Sequence, residues 1–171
     1  VLASATVEYP MDQPKNGWAE QEPEDWWNAA RDTVKAVMTK SGVNPGDVKG
    51  VGISGQMHGL VLLDEEGRVL RRSILWCDGR TQEECDTAEE TEYLNTVVGK
   101  ETLSRYTANI AFAGFTAPKI LWMRKHEPEI YEKAAHILLP KDYVRFRLTG
   151  EYAAEMSDAS GTNLLDVPNR C

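Results

Sequence analysis

The chain has 171 residues, 42% hydrophobic and 27% charged, which is enough for one domain with a real core and cramped for two. A net charge of −8 argues against a nucleic-acid binder, which needs a basic patch to neutralise phosphates. There is no apolar run of membrane-spanning length and no signal-peptide pattern. The three cysteines (Cys77, Cys85, Cys171) lack metal spacing, so a cytoplasmic home is expected.

The alternating run over residues 1–9, VLASATVEY, predicts a strand in need of a neighbour. A proline-rich polar loop follows. A helix is then predicted from Pro23 to Ser41, with Pro23 in its first turn, acids Glu22, Glu24 and Asp25 complementing the dipole, and Gly42 ending it. Trp26, Ala30, Val34 and Val37 recur at helical spacing on one face. A strand is expected over 48–54, then a hairpin of 59–64 and 68–76 turned at 64–67. An acidic helix should run from about Asp78 to Thr96, with shorter helices near 100–107, 116–126 and 127–135. Residues 136–140 read as a buried strand, 141–150 as a helix stopped by Gly150, and 163–166 as a last strand. Alternating strands and helices predict an α/β class with a mixed sheet. Both ends look cut from something longer.

Four clusters stand out. Gln56, Met57 and His58 lie between Gly55 and Gly59, where the missing side chains let the backbone bend or approach another segment closely. An amide, a thioether and an imidazole there fit the wall of a polar-ligand pocket; a bulge with an incidental histidine is the plainer reading. Trp76 ends an apolar run before the Asp78-Gly79-Arg80 turn and can stack on a sugar or simply cover the core. Gly114 and Phe115 precede a helix capped by Thr116, in which Lys119 is either a phosphate or sugar contact or a structural lysine. Ser157, Asp158 and Ser160 are good turn and cap residues. His126, at a helix C-terminus, and His136, before a strand, read as structural.

Taken in order, GISGQMHG (52–59), ILWCDGRTQEEC (74–85), GFTAPKILWMRKHEPEIY (114–131), LLPKDYVRFRLTGEY (138–152) and SDASGTNLLD (157–166) resemble the FGGY carbohydrate kinases, and among them the xylulokinases. The stretch from Gly114 to His126 satisfies the family's first signature along its length. The resemblance implies a ribonuclease-H-like (actin-like ATPase) domain with a mixed sheet flanked by helices, truncated at both ends. Residues 1–171 would form most of the N-terminal domain, lacking its first hairpin and the whole C-terminal domain. It implies transfer of the ATP γ-phosphoryl group, with Mg2+, to D-xylulose at O5.

By the same resemblance, Gln56, Met57, His58, Trp76, Gly114 and Phe115 are the expected substrate-binding residues. Gly114, where glycerol kinases place an aromatic contact, would open room for a longer sugar; Met57-His58 in place of Arg-Glu disfavours glycerol. The catalytic base and the phosphate loop would lie outside the chain, so no catalytic or metal-binding residue is expected within it, and the isolated piece should be inactive. The implied partners are a small sugar and ATP, with neither nucleic acid nor membrane, and a homodimer is compatible with the family. The competing readings are a kinase for another sugar or sugar acid and a non-catalytic sugar-binding module.

Overall fold

A computed structural model describes residues 1–83 and 93–171. Its centre is the run from Leu60 to Leu63, whose four side chains are all at most 2% exposed. β1 (Glu20–Gln21) pairs antiparallel with β3 (Ser73–Ile74), and β2 (Val61–Leu63) pairs antiparallel with β4 (His136–Leu138). A bridge from Leu60 to Ile74 sews the two pairs together. Side chains alternate across a strand, so this continuous apolar run serves two cores. Val61 and Leu63 pack with Trp26, Leu138 and Tyr143, whereas Leu60 and Leu62 pack with Ile74, Trp122 and Met123.

Helices supply the two covers. On one face lie α1 (Pro23–Ser41) and, later in the chain, α6 (Pro140–Thr149). The expected start and stop signals of α1 are in place: Pro23 opens it, and Gly42, at φ 66°, donates its N–H to the Met38 carbonyl. Between α1 and α6 in the chain come α2 (Arg80–Glu83), a π-helical turn (Leu94–Gly99), α3 (Lys100–Thr107), α4 (Thr116–His126) and α5 (Pro128–Tyr131). α4 brings Trp122 and Met123 onto the second face. α7 (Met156–Ala159) and a 3₁₀ turn (Ser160–Thr162) follow α6.

The hairpin turned at 64–67 forms, held by Asp64 N–H to the Arg68 carbonyl and Leu70 N–H to the Leu62 carbonyl. Three expected strands do not form. Residues 1–9 and 48–54 have no ladder, because a strand exists only through a partner and neither segment meets one among the described residues. Leu2 and Val51 are left 84% and 72% exposed. Both segments instead border an apolar groove of about 720 Å³, walled also by α1 and α6. Val34, on the expected inner stripe of α1, faces this groove and is exposed. Residues 163–166 are turned aside by Asn163, at φ 59°, and by the Thr162 hydroxyl, which accepts the Leu164 N–H. The mixed sheet is therefore replaced by two small antiparallel pairs. Of the expected acidic helix, Arg80–Glu83 is seen, and its last residues fall in the π-helical turn Leu94–Gly99; Cys85 and the rest of 84–92 lie outside the described residues.

Candidate sugar site

The site is built on the turn between the two glycines. A side chain on Gly59 would put its Cβ 2.5 Å from Pro140 Cγ, and one on Gly55 would meet Lys141 Cβ at 3.0 Å. Close approach to the start of α6 therefore dictates both glycines. Pressed between them, the chain projects Met57 outward and lays the His58 ring against Phe115 and the Gly161 backbone. Gln56 turns inward, its amide donating to Gln21 Oε1 at 2.8 Å, which also accepts Trp26 Nε1–H at 3.0 Å. Gln56 thus ties the turn to β1 and α1 rather than resting on a strand.

His58 sits at φ 60°, a left-handed conformation that costs a non-glycine residue about 1 kcal/mol or more. Its carbonyl is gripped from α4, accepting Thr116 Oγ1–H at 3.2 Å and Lys119 Nζ–H at 2.9 Å. Its imidazole lies 4.4 Å from the Phe115 ring and packs on the Gly161 backbone, where an added Cβ would fall 2.4 Å from Cε1. Nδ1 is enclosed without a well-aligned hydrogen-bond partner. Burial, and then the Lys119 charge, hold the imidazole pKa below its ordinary value, outweighing the opposing pull of Asp158 and the Gly161 backbone. At neutral pH the ring is therefore an uncharged hydrogen-bonding group, suited to a neutral hydroxyl.

Lys119 is fully buried, and its second bond goes to the Gly114 carbonyl at 2.7 Å. Burial pushes its pKa down to about 7, against the pull of Asp78. Gly114 approaches Trp76 so closely that a Cβ would sit 2.9 Å from the Trp76 carbonyl oxygen. The bare Cα at 114 therefore has a packing cause of its own. Around this junction Met57, Trp76 and Phe112 remain 42%, 48% and 51% exposed, and the Phe112 ring lies edge-on to Phe115, which in turn packs on the imidazole.

Beneath Trp76 lies a charged knot. Asp78 accepts the Ala19 N–H and three Arg80 nitrogens, the backbone N and Nε at 2.9 Å and Nη2 at 2.8 Å; both side chains are inaccessible to solvent. Arg80 also donates to Glu20 Oε1 at 2.6 Å, and its guanidinium lies 3.8 Å from the Trp18 ring centre. Arg71 bridges Glu20 and Glu127, closing the network. Thr81 Oγ1–H reaches the Ala113 carbonyl at 2.8 Å, so the turn after Trp76 is fastened to the loop before α4.

All six sequence-predicted residues belong to this region: Gln56, Met57 and His58 on the turn, Phe115 against His58, and Gly114 between Lys119 and Trp76. His126, stacked on Trp122, and His136, stacked on Tyr152, sit in packing positions. Sequence reading did not find the supports. Gln21, Thr116 and Gly161 carry no local signal beyond ordinary loop and cap chemistry, and the burial of Lys119 is visible only in three dimensions.

Comparison with known proteins places these features in company. Residues 1–171 match the model for the N-terminal domain of the FGGY family of carbohydrate kinases. The xylulose kinase of Escherichia coli (strain K12) is 46% identical over 170 residues, covering 99% of this chain and 33% of that protein. That of Bacillus subtilis (strain 168) is 45% identical over 170 residues, covering 99% of this chain and 33% of that protein. Among solved structures, a "xyloylose kinase" from Brucella ovis superposes with a TM-score of 0.86 at 41% identity, covering 95% of this chain and 32% of that one. The chain spans about a third of the length of the relatives it matches.

Proposed function

The chain belongs to the FGGY family of carbohydrate kinases, and from that membership we propose that the protein carrying it phosphorylates a ketose, D-xylulose at O5, with magnesium-ATP. The observation that carries the reading is the built environment of His58: a neutral imidazole held in a strained conformation against the Phe115 ring, next to the exposed Met57 side chain. In this reading Nε2 and the Met57 edge meet sugar hydroxyls and carbons, Trp76 covers an apolar sugar face, and Gln56 keeps the turn in register. The relatives named xylulose kinase support xylulose over another sugar.

Residues 1–171 are read as part of an N-terminal, ribonuclease-H-like domain. The groove between residues 5–9 and 51–56 supports this, since unpaired extended segments on both sides of an apolar trough suit added strands. ATP and magnesium are assigned to other parts of the protein. Among the described residues no group of three or more His, Cys, Asp or Glu is arranged to hold a metal. No helix among the described residues is long and apolar enough to cross a membrane.

The test is a coupled ADP-release assay with D-xylulose on the full-length protein and on the isolated 171-residue chain. Turnover is expected only from the former; no turnover by the full-length protein would remove the reading. His58→Ala in the full-length protein should raise the sugar KM about three- to tenfold, the worth of a hydrogen bond of roughly 1 kcal/mol. A large fall in melting temperature with an unchanged KM would return His58 to packing. Trp76→Phe should abolish most of the xylulose-dependent fluorescence change, because Trp26 and Trp122 are buried reporters of packing. A change that persists at full amplitude would show that Trp76 does not stack on sugar.

A further inference from the structure

A lysine placed in a protein interior usually answers a carboxylate, since an ammonium without a partner is costly to bury. Lys119 is different. Its side chain is fully buried, and its two hydrogen bonds go to the backbone carbonyls of His58 and Gly114 rather than to an acid. Asp78, whose field reaches it, is already engaged by Arg80. The two carbonyls belong to segments 56 residues apart in the chain, and each adjoins a wall of the candidate site. His58 has the unfavourable left-handed backbone, and its carbonyl has no other partner than Thr116 among the described residues.

We infer that Lys119 is a positioning residue for sugar recognition, holding the His58 turn and the Gly114–Trp76 junction at a fixed separation by bridging their carbonyls. The inference rests on the proposed sugar site. Three features support it over a purely structural role. The bonds are made to the strained residue itself rather than to a neighbour. Thr116, one turn earlier on the same helix face, grips the same oxygen, so α4 acts as a two-point clamp on the peptide that aims the imidazole. The second carbonyl belongs to the residue that touches Trp76, so one ammonium registers both the hydrogen-bonding and the stacking wall. Without Lys119, one of two bonds on the His58 carbonyl is lost and the turn can relax to an ordinary backbone conformation. The pocket would lose its aim while the core that draws on Trp122 and Met123 of the same helix keeps its packing.

The experiment uses the full-length protein and Lys119→Met, which preserves length and apolar bulk but donates nothing. Sugar and ATP KM values and kcat are measured beside circular dichroism and melting temperature. The expected result is a rise of about tenfold or more in the sugar KM, with the ATP KM within about twofold of wild type, the pattern of a lost positioning bond. Lys119→Gln, which retains N–H donors on a shorter arm, should fall between the two. An unchanged sugar KM in a folded Lys119→Met, or equal rises for sugar and ATP, would overturn the inference. Failure of both variants to fold would assign Lys119 to the fold and overturn it as well. A wild-type protein without sugar turnover would instead sink the kinase reading and take this inference with it. Wild-type turnover with a Lys119→Met sugar KM equal to wild type sinks the inference alone.

Discussion

Arg80→Met is expected to destabilise the domain by about 3–5 kcal/mol, the usual consequence of stripping one partner from a buried ion pair. Arg80 and Asp78 have side chains with no solvent exposure, and Glu20 is almost as enclosed. Removing the guanidinium leaves the Asp78 carboxylate without its counter-charge in a place water cannot reach and leaves Glu20 to Arg71 alone. It also removes the cation that lies 3.8 Å from the Trp18 ring centre and 4.9 Å from that of Trp122. Arg80→Lys should recover little, since a point charge cannot supply both Asp78 oxygens and Glu20 in one plane. The contrast is Arg68→Met. Its partners Asp64 and Glu66 hold a guanidinium that is 73% exposed and screened by solvent, so the loss should be far smaller than that of Arg80→Met. Thermal and urea unfolding of the full-length protein would compare the two. Equal, small effects would mean that the knot beneath Trp76 contributes no more than a surface pair.

This knot shows where sequence reading reached its limit. The Asp78-Gly79-Arg80 turn and the tryptophan before it were legible, because turn residues and apolar runs are local signals. That Asp78 caps the Ala19 N–H across 59 residues was not, because long-range hydrogen bonds leave no periodicity. The same division runs through the fold. The helices Pro23–Ser41 and Thr116–His126 have the expected bounds, although Thr116 opens its helix and gives its hydroxyl to the His58 carbonyl instead of capping. The strands over 1–9 and 48–54 fail because pairing is a property of two segments, and composition describes only one. The glycines around Gln56, Met57 and His58 were readable as sites of close approach. Pro140 and Lys141 as the approaching groups were not. The left-handed backbone of His58 was equally hidden, since histidine enters that region only when neighbours hold it there.

Gly161→Ala is expected to cost the protein its sugar recognition while leaving the fold nearly intact. The new Cβ would lie 2.4 Å from His58 Cε1 and 2.9 Å from Nδ1, well inside contact distance. One of the two groups has to move. The Gly161 backbone follows a 3₁₀ turn whose Thr162 hydroxyl is bonded to the Ala159 carbonyl, so it resists displacement. The imidazole is the end of a side chain with rotamers available, and it yields by swinging away. It cannot move toward the Phe115 ring, whose centre is 4.4 Å away at a tilt of 33°. The cost in stability should be about 1–2 kcal/mol, typical of one methyl forced into a packed contact. The cost in sugar KM should be about tenfold or more, because the hydroxyl partner has lost its place. Gly50→Ala, whose Cβ would meet nothing within 4 Å, is the control and should leave both quantities unchanged. The decisive comparison is made in a His58→Ala background, where the imidazole is already gone. If the methyl acts only by displacing that ring, Gly161→Ala adds nothing further to the sugar KM there. A full additional tenfold loss in the double variant would show that Gly161 serves the site by another route, and that the imidazole's resting place on this turn is incidental.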